Sequence, residues 1–294
     1  MARGQPTDRS ESTAAARAAT ATIRPRKSLG QHFLTDRKVL QRILAAASLS
    51  PADTVIEVGA GKGVLTQALA AAAGKVIAVE IDDALCAHLR RRLAAHANVE
   101  PICGDILALS PDELLARAQV SPPYVVVANL PYYIASAVLR HFLESACPPT
   151  RMIVMVQAEV GQSIAAPPGR MSLLSVGVQF YAQARVLFYV PPRAFRPPPK
   201  VRSAVIRLDV RPEAAVAVDD REAFFHLVQA GFAAPRKQLR NALALGLGIE
   251  PASARTLLDS ANIDPSRRAQ TLGLDEWGCL YRAWRGSGRP SGRE

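Results

Sequence analysis

Short apolar runs and amphipathic stretches alternate along the first two thirds of the chain. The apolar runs have strand length and few charges; they are residues 54–58, 75–80, 99–103, 124–128 and 152–157. The amphipathic stretches have helical spacing; they are residues 39–47, 64–73, 82–96 and 135–144. Asp36 stands where it would cap the first helix. Continuous apolar strands between helices predict an α/β fold with a mostly parallel sheet covered on both faces.

The pattern changes toward the carboxyl end. Residues 177–190 and 203–210 alternate or are β-branched, so we expect late, antiparallel strands there. Past residue 211 the signals become helical with short loops, and the predicted helices are 224–233, 235–245, 252–258 and 275–285. These signals predict a sheet domain over 28–210 and a small α-helical domain over 211–285.

Both ends lack an apolar period. Residues 1–27 carry six basic and two acidic side chains, and we expect a disordered basic arm there. A transit peptide is the less favoured reading, because Asp8 and Glu11 are acidic. Residues 286–294 are expected to form a disordered tail.

Charge narrows the class of protein. The 294 residues include 36 Lys and Arg against 25 Asp and Glu, a net charge of +11. Such an excess is typical of nucleic-acid binders, although a basic surface can also serve solubility alone. No apolar stretch reaches the roughly 18–20 residues of a membrane span, so we expect no membrane association.

Cysteine usage indicates the compartment. The four cysteines are far apart and form no CxxC pair; they are Cys86, Cys103, Cys147 and Cys279. We therefore expect no metal site, no disulfide framework and a reducing, cytoplasmic location.

A glycine-rich turn follows the first long apolar run. Gly59, Gly61 and Gly63 come directly after Glu57-Val58 and open a predicted helix. Glycines let a backbone turn sharply and approach a ligand closely. The G-x-G-x-G spacing differs from both the dinucleotide fingerprint and the triphosphate loop, so neither pyrophosphate nor triphosphate is favoured. A tight turn without a ligand is the alternative.

Two acidic residues lie at or just after the ends of the next predicted strands. Glu80 lies 17 residues after Gly63, where an acid can accept hydrogen bonds from both hydroxyls of a ribose. Asp105 lies just after the following strand and has the position to bind the exocyclic amine of an adenine, although Gly-Asp is also a common turn.

The sharpest signal follows the fourth apolar run. Asn129, Leu130, Pro131 and Tyr132 combine a side-chain acceptor, a stiffened backbone and a flat ring. An exposed base amine needs such acceptors together with a stacking surface. An Asn-x-Pro turn with a core tyrosine is the alternative reading.

Together these motifs resemble the S-adenosylmethionine-dependent rRNA adenine N6-dimethyltransferases. Ser-Leu-Gly-Gln-His-Phe-Leu at 28–34 is similar to the family's Gly-Gln-Asn-Phe-Leu box. Residues 195–203 and 233–243 are similar to its Phe-x-Pro-x-Pro-Lys-Val-x-Ser and Arg-Lys-x-x-Arg-Asn-x-Leu boxes. The resemblance runs from about residue 27 to residue 284 and is strongest to the branch that dimethylates two adjacent adenines near the 3′ end of 16S rRNA.

The resemblance implies a Rossmann-like class I methyltransferase sheet with S-adenosyl-L-methionine as cofactor. It implies target-base contacts from Asn129, Leu130, Pro131, Tyr132 and Phe195. The cofactor contacts it implies are Gln31, His32, Leu34, Gly59, Gly61, Gly63, Glu80, Asp105 and Asn129.

Basic residues add a further signal: seven Lys and Arg lie between residues 185 and 211 against one acid, and Arg236, Lys237 and Arg240 lie at helical spacing that predicts a shared face. We expect the RNA backbone to be bound by Lys200, Arg202, Arg236, Lys237 and Arg240; a solvated charged face is the alternative reading.

The sequence departs from the family pattern twice. His32 stands where the family usually has Asn, and it keeps a polar side chain. Tyr133 stands where Asn often follows Pro-Tyr; its ring would either crowd the base pocket or add a stacking wall.

Three alternatives remain open. The branch that modifies 23S rRNA shares the catalytic boxes, and a non-catalytic ribosome assembly factor could keep the fold. DNA-adenine and protein-glutamine methyltransferases use a similar turn, but they have proline where Leu130 stands. The favoured partner is 16S rRNA in the small ribosomal subunit or its precursor, bound by a monomer.

Overall fold

The computed structural model describes residues 30–287. The predicted arm and residues 288–294 of the predicted tail lie outside this range. Within it, Gly286 still belongs to the last helix, so the predicted tail began one residue too early.

A mostly parallel, seven-stranded sheet forms the centre of the fold, as predicted. The strands are β2 (Thr54–Val58), β3 (Lys75–Glu80), β4 (Val99–Cys103), β5 (Tyr124–Asn129), β6 (Arg151–Gln157), β7 (Ala182–Val190) and β9 (Ser203–Val210). Their order is β4-β3-β2-β5-β6-β9-β7, and only β9 runs opposite to the other six. β2 to β6 are parallel because each is joined to the next by a crossover with helical structure.

Helices cover both faces of the sheet. The predicted cap is confirmed, since the Asp36 carboxylate accepts hydrogen bonds from the backbone of Lys38 and Val39. In this first part the helices are α1 (Arg37–Ala47), α2 (Val64–Ala70), α3 (Asp83–Arg92), α4 (Pro111–Arg117), α5 (Ala135–Leu143), α6 (Ala158–Ile164) and α7 (Leu173–Tyr181).

The prediction of a strand over 177–190 is wrong for its first part, which belongs to α7. Ser172 and Ser175 form a reciprocal cap that starts this helix. Val176 and Phe180 then lie one turn apart and pack together into the C-terminal core. Helical packing of this apolar pair decides the structure there, and the strand begins at Ala182.

A two-stranded sheet holds residues 30–36, here called the N-terminal segment, against the rest of the described chain. β1 (Phe33–Leu34) pairs antiparallel with β8 (Phe195–Arg196). The Thr35 N–H also donates to the Ala194 carbonyl at 2.8 Å. Residues distant in sequence therefore meet beside the carboxyl ends of the central strands.

The C-terminal third is helical, as predicted. Its helices are α8 (Arg221–Phe232), α9 (Leu239–Leu247), α10 (Pro251–Ser260) and α11 (Leu274–Gly286). Met171, Val176 and Phe180 pack with these helices in one apolar cluster. A shared core thus spans the predicted boundary at residue 211, and separate domains stay a prediction.

Helix α9 begins four residues later than predicted. Gln238 is extended, and the Leu239 N–H donates to the Arg267 carbonyl, which ends the preceding turn. Arg236 and Lys237 consequently lie in that turn, and the prediction that they share a helical face with Arg240 is wrong.

Two cysteines form a disulfide. Cys86 of α3 is bonded to Cys103 of β4, 17 residues later. The expectation of no disulfide framework overlooked this pair, because the packing of α3 beside β4 brings the two side chains together. Cys147 and Cys279 are free.

Candidate active site

A cavity of about 320 Å³ opens at the carboxyl ends of β2 to β5. Ligands collect at this edge in parallel α/β sheets, because the loops there are free to carry binding groups. The predicted site residues on its wall are Gln31, His32, Gly59, Gly61, Glu80, Asp105, Asn129, Leu130, Pro131 and Tyr132.

Glu80 is the acid at the end of β3. Its carboxylate is nearly buried and accepts hydrogen bonds from the N–H groups of Gly61 at 2.8 Å and Asp82 at 3.0 Å. Burial raises the pKa of Glu80, and these hydrogen bonds partly offset the shift. Each carboxylate oxygen has a second lone pair, so Glu80 keeps the capacity to accept ribose hydroxyls.

Two of the motif glycines are required for different reasons. Gly61 has φ +59°, and a Cβ there would lie 3.2 Å from the Phe33 ring on the cavity wall. Gly63 has φ +75° and caps α2, and a Cβ there would come within 2.9 Å of Leu89 in the core. Gly61 therefore shapes the cavity, whereas Gly63 serves packing behind it.

Asp105 follows β4 and is exposed at the cavity. Its Oδ1 accepts a hydrogen bond from the Leu107 N–H at 3.0 Å, and no donor in residues 30–287 occupies Oδ2. Ile81 directly follows Glu80, Leu107 lies two residues after Asp105, and both are exposed on the cavity wall. Two acceptor carboxylates beside two exposed apolar side chains suit a ligand with a flat heterocycle and with hydroxyl and amine donors.

Asn129 is held by the N-terminal segment. Its Nδ2 donates to the His32 carbonyl oxygen at 3.1 Å, across 97 residues of sequence. This bond engages one of the two amide N–H groups and orients the amide, which leaves the Asn129 Oδ1 as an acceptor at the cavity. The Leu130 N–H donates to Met155, and none of the described residues directs a donor at the Leu130 carbonyl. Two acceptors therefore stand next to each other.

Tyr132 is fixed at both ends of its side chain. Its hydroxyl lies 2.8 Å from the Ser203 Oγ, and its ring stacks on His32 with a centroid distance of 5.8 Å. His32 in turn donates from Nδ1 to the Pro197 carbonyl at 2.8 Å. Burial raises the pKa of Tyr132, so the hydroxyl stays neutral. The flat ring is thus preorganised at the cavity.

Three predicted site residues lie away from the cavity wall. Leu34 and Phe195 pair across β1 and β8 and are buried in the core beneath α1. Phe195 is only 2% exposed, so this arrangement does not support its predicted role as a stacking wall. Gly63, the third, lies behind the glycine loop and faces Leu89 in the core.

Some cavity residues were not predicted from the sequence. Among them are Phe33, which directly follows His32, Ile81, which directly follows Glu80, and Leu107, two residues after Asp105. Lys62 lies over the Phe33 ring, 4.8 Å from its centroid. Tyr133, which the sequence placed beside the base pocket, also lies on the cavity wall. The signal that could have found the unpredicted residues is position, since each lies within two residues of a predicted site residue.

Glu57 lies buried beneath the glycine loop. No residue of the described chain bonds its Oε2, and burial raises the pKa of Glu57 to about 8. This carboxyl is therefore protonated at neutral pH.

The predicted RNA-binding side chains all reach the surface at least in part. Lys200, Arg202, Arg236 and Lys237 are exposed, and Arg240 is half-buried. Arg202 stacks over Tyr189, 4.4 Å from the ring centroid. Basic and aromatic groups together suit a nucleic-acid backbone.

Residues 30–287 contain neither a membrane-spanning helix nor a cluster of metal ligands. None of the helices has the length and apolar character needed to cross a bilayer. No group of three or more His, Cys, Asp or Glu side chains is arranged to hold a metal ion.

Known proteins resemble this chain over most of its length. A model of the family described as ribosomal RNA adenine dimethylase matches residues 23–278. A protein of Dehalococcoides mccartyi named ribosomal RNA small subunit methyltransferase A is 50% identical over 260 residues, 88% of each chain. A protein of that name from Moorella thermoacetica is 44% identical over 265 residues, 88% of this chain and 92% of its own.

Solved structures share the fold. The 23S rRNA methyltransferase ErmE has a TM-score of 0.68 and 29% identity, covering 85% of this chain and 98% of its own. A dimethyladenosine transferase from Plasmodium falciparum has a TM-score of 0.74 and 22% identity, covering 87% of this chain and 98% of its own.

Proposed function

Because this chain belongs to the ribosomal RNA adenine dimethylase family, we propose that it dimethylates N6 of adenines in small-subunit rRNA. The fold is the Rossmann-like sheet of class I methyltransferases, and the protein is a methyltransferase enzyme. The observation that carries the proposal is the Asn129 amide, which a hydrogen bond from its nitrogen to His32 orients so that its oxygen is free to accept from a base amine.

The relatives favour the small subunit over the large. Proteins named for the small subunit are 50% and 44% identical to this chain, whereas the structure named for 23S rRNA is 29% identical. The resemblance of the motifs implies two adjacent adenines near the 3′ end as the targets. Action as a monomer in the cytoplasm stays a prediction.

The cavity fits S-adenosylmethionine as the methyl donor. Glu80 has spare lone pairs for a ribose, and Asp105 has an open oxygen for the adenine amine. Ile81 and Leu107 offer apolar faces to the same ring, and Gly61 leaves room that a Cβ would fill. When bound, this cofactor supplies an electrophilic methyl group on a positively charged sulfur.

The chain's own residues activate the target amine. The lone pair of adenine N6 is delocalised into the ring, so the nitrogen is a poor nucleophile. Acceptors at Asn129 Oδ1 and the Leu130 carbonyl bind its two N–H groups and hold the nitrogen near tetrahedral, so that the lone pair is less delocalised into the ring and faces the methyl group. They also stabilise the positive charge that develops on nitrogen. Amide oxygens are too weakly basic to keep the proton, so it passes to water.

Tyr132 orients the base. Its ring is fixed by Ser203 and His32 before substrate arrives, so little rotational freedom is lost on binding. Stacking on such a ring is worth about 1–3 kcal/mol per base. The target adenine must leave its own stack to enter, and this stacking offsets part of that cost.

A methyl-transfer assay tests the proposal. Labelled S-adenosylmethionine is offered with unmethylated small-subunit particles, large-subunit particles, each naked rRNA and a DNA duplex, and the modified base is then mapped. We expect dimethyladenosine in small-subunit rRNA. Labelled methyl groups in large-subunit rRNA would assign the protein to the branch that modifies 23S rRNA. RNA binding without label would make it an assembly factor.

A further inference from the structure

We propose that Tyr133 forms a second nucleobase subsite at the mouth of the cavity, where its ring stacks on a nucleotide next to the target adenine. The inference rests on the proposed function, because it concerns the same RNA. Tyr133 is 59% exposed, yet it lies on the cavity wall. An aromatic ring left open at a binding site offers a face to a ligand.

A tight turn separates the two tyrosines. The Ile134 N–H donates to the Pro131 carbonyl at 3.2 Å, which places Tyr132 and Tyr133 at the two middle positions. The Tyr132 hydroxyl reaches the buried Ser203, whereas most of the Tyr133 side chain is exposed. One turn therefore holds one ring inside the cavity and one at its rim.

The N-terminal segment passes beside both rings. A Cβ at Gly30 would lie 3.6 Å from the Tyr133 ring, while His32 stacks on Tyr132. Because position 30 is a glycine, no side chain from this residue covers the Tyr133 ring, and that ring stays open to a base.

The cofactor contacts leave Tyr133 unused. Two other exposed apolar residues on the cavity wall, Ile81 and Leu107, follow the acids that we assign to the methyl donor. Tyr133 instead belongs to the loop that carries the target-base acceptors. Its ligand is therefore a base of the RNA strand.

Base extrusion creates the need for such a surface. When one adenine leaves the stack, its neighbours lose a stacking partner. An aromatic side chain can replace that partner without reading the base edge. If the targets are two adjacent adenines, the nucleotide beside the reacting base is itself a purine, which is the larger base type.

Substitution of Tyr133 tests the subsite. We expect Tyr133→Ala to raise the KM for unmethylated small-subunit particles roughly tenfold, the order expected for one lost stack. The affinity for S-adenosylmethionine, measured by calorimetry, should not change, which also verifies folding. Tyr133→Phe should restore the KM, because the ring and not the hydroxyl stacks. Leu173→Ala removes an exposed apolar side chain outside the cavity and is the matched control.

A double-mutant cycle identifies the base. Particles are reconstituted with an abasic nucleotide on one side or the other of the target adenine. At the contacted side, wild type and Tyr133→Ala should show equal KM values. A tenfold difference that persists with both abasic substrates, or a Tyr133→Ala variant that equals wild type, would overturn the subsite. If wild type methylates no particle, the proposed function fails instead.

Discussion

Asn129 and His32 are joined by a hydrogen bond from the Asn129 Nδ2 to the His32 backbone carbonyl, 3.1 Å long. This bond fixes which end of the amide faces the cavity. An amide free to rotate would present its donor end half of the time, and a donor repels the hydrogens of the target amine. The N-terminal segment therefore takes part in orienting the acceptor.

Replacing Asn129 should separate catalysis from cofactor binding. We expect Asn129→Ala to lower kcat about 10²- to 10³-fold, the usual loss when one preorganised group that stabilises developing charge is removed. Glu80 and Asp105 remain, so the Kd for S-adenosylmethionine should stay within a few-fold of wild type. Single-turnover methylation and calorimetry measure the two quantities, and wild-type turnover would remove Asn129 from the mechanism.

Gly61 and Gly248 form a matched pair for the glycine loop. Both have positive φ, +59° and +63°, so alanine strains the backbone similarly at either site. Only Gly61 has a neighbour within reach, the Phe33 ring, whereas Gly248 has nothing within 4 Å. We expect Gly61→Ala to weaken S-adenosylmethionine binding at least tenfold. Gly248→Ala should cost about 1 kcal/mol of stability and leave binding unchanged.

Glu57 should make the protein less stable as pH rises. Its folded pKa is raised to about 8, so the folded state keeps a proton that the unfolded state releases above about pH 4.5. The free energy of unfolding from this group therefore falls between pH 4.5 and 8, on the order of 1 kcal/mol per pH unit. Glu57→Gln stays neutral and should show a smaller fall.

Denaturant unfolding at pH 5, 6.5 and 8 measures this slope. Glu113→Gln is the contrasting variant, because Ser110 holds the pKa of Glu113 below its usual range. Its contribution is present at neutral pH and is lost as pH falls, the opposite sign. A Glu57→Gln slope equal to that of wild type would mean that Glu57 is ionised in the folded protein.

Arg236 and Lys237 should contribute to RNA affinity through phosphate contacts. Removing both should lower the dependence of log affinity on log salt by about 1.5, since each phosphate contact contributes roughly 0.7–0.9. The control removes the same charge from Arg140 and Arg255, each of which is paired with an acid four residues further along the chain. Equal slopes for the two double variants would show that only net charge matters.

The local sequence determined most of the sheet and most of the cavity. Parallel strands are buried on both faces, so they appear in the sequence as continuous apolar runs, and the first five were found within one residue. Glu80 and Asn129 end such strands and Asp105 lies two residues after one, so the parallel sheet brings them to one edge. Their convergence needed no knowledge of side-chain packing.

Only the tertiary structure decided the contacts between segments far apart in sequence. The bond from Asn129 to His32, the joining of Cys86 to Cys103 and the burial of Phe195 depend on how β1, α1 and α3 pack. The start of α9 depends on the Arg267 carbonyl in the same way. The local pattern of apolar and polar residues shows which face of a segment is apolar. Which other segment packs on that face is decided by the packing of the whole chain.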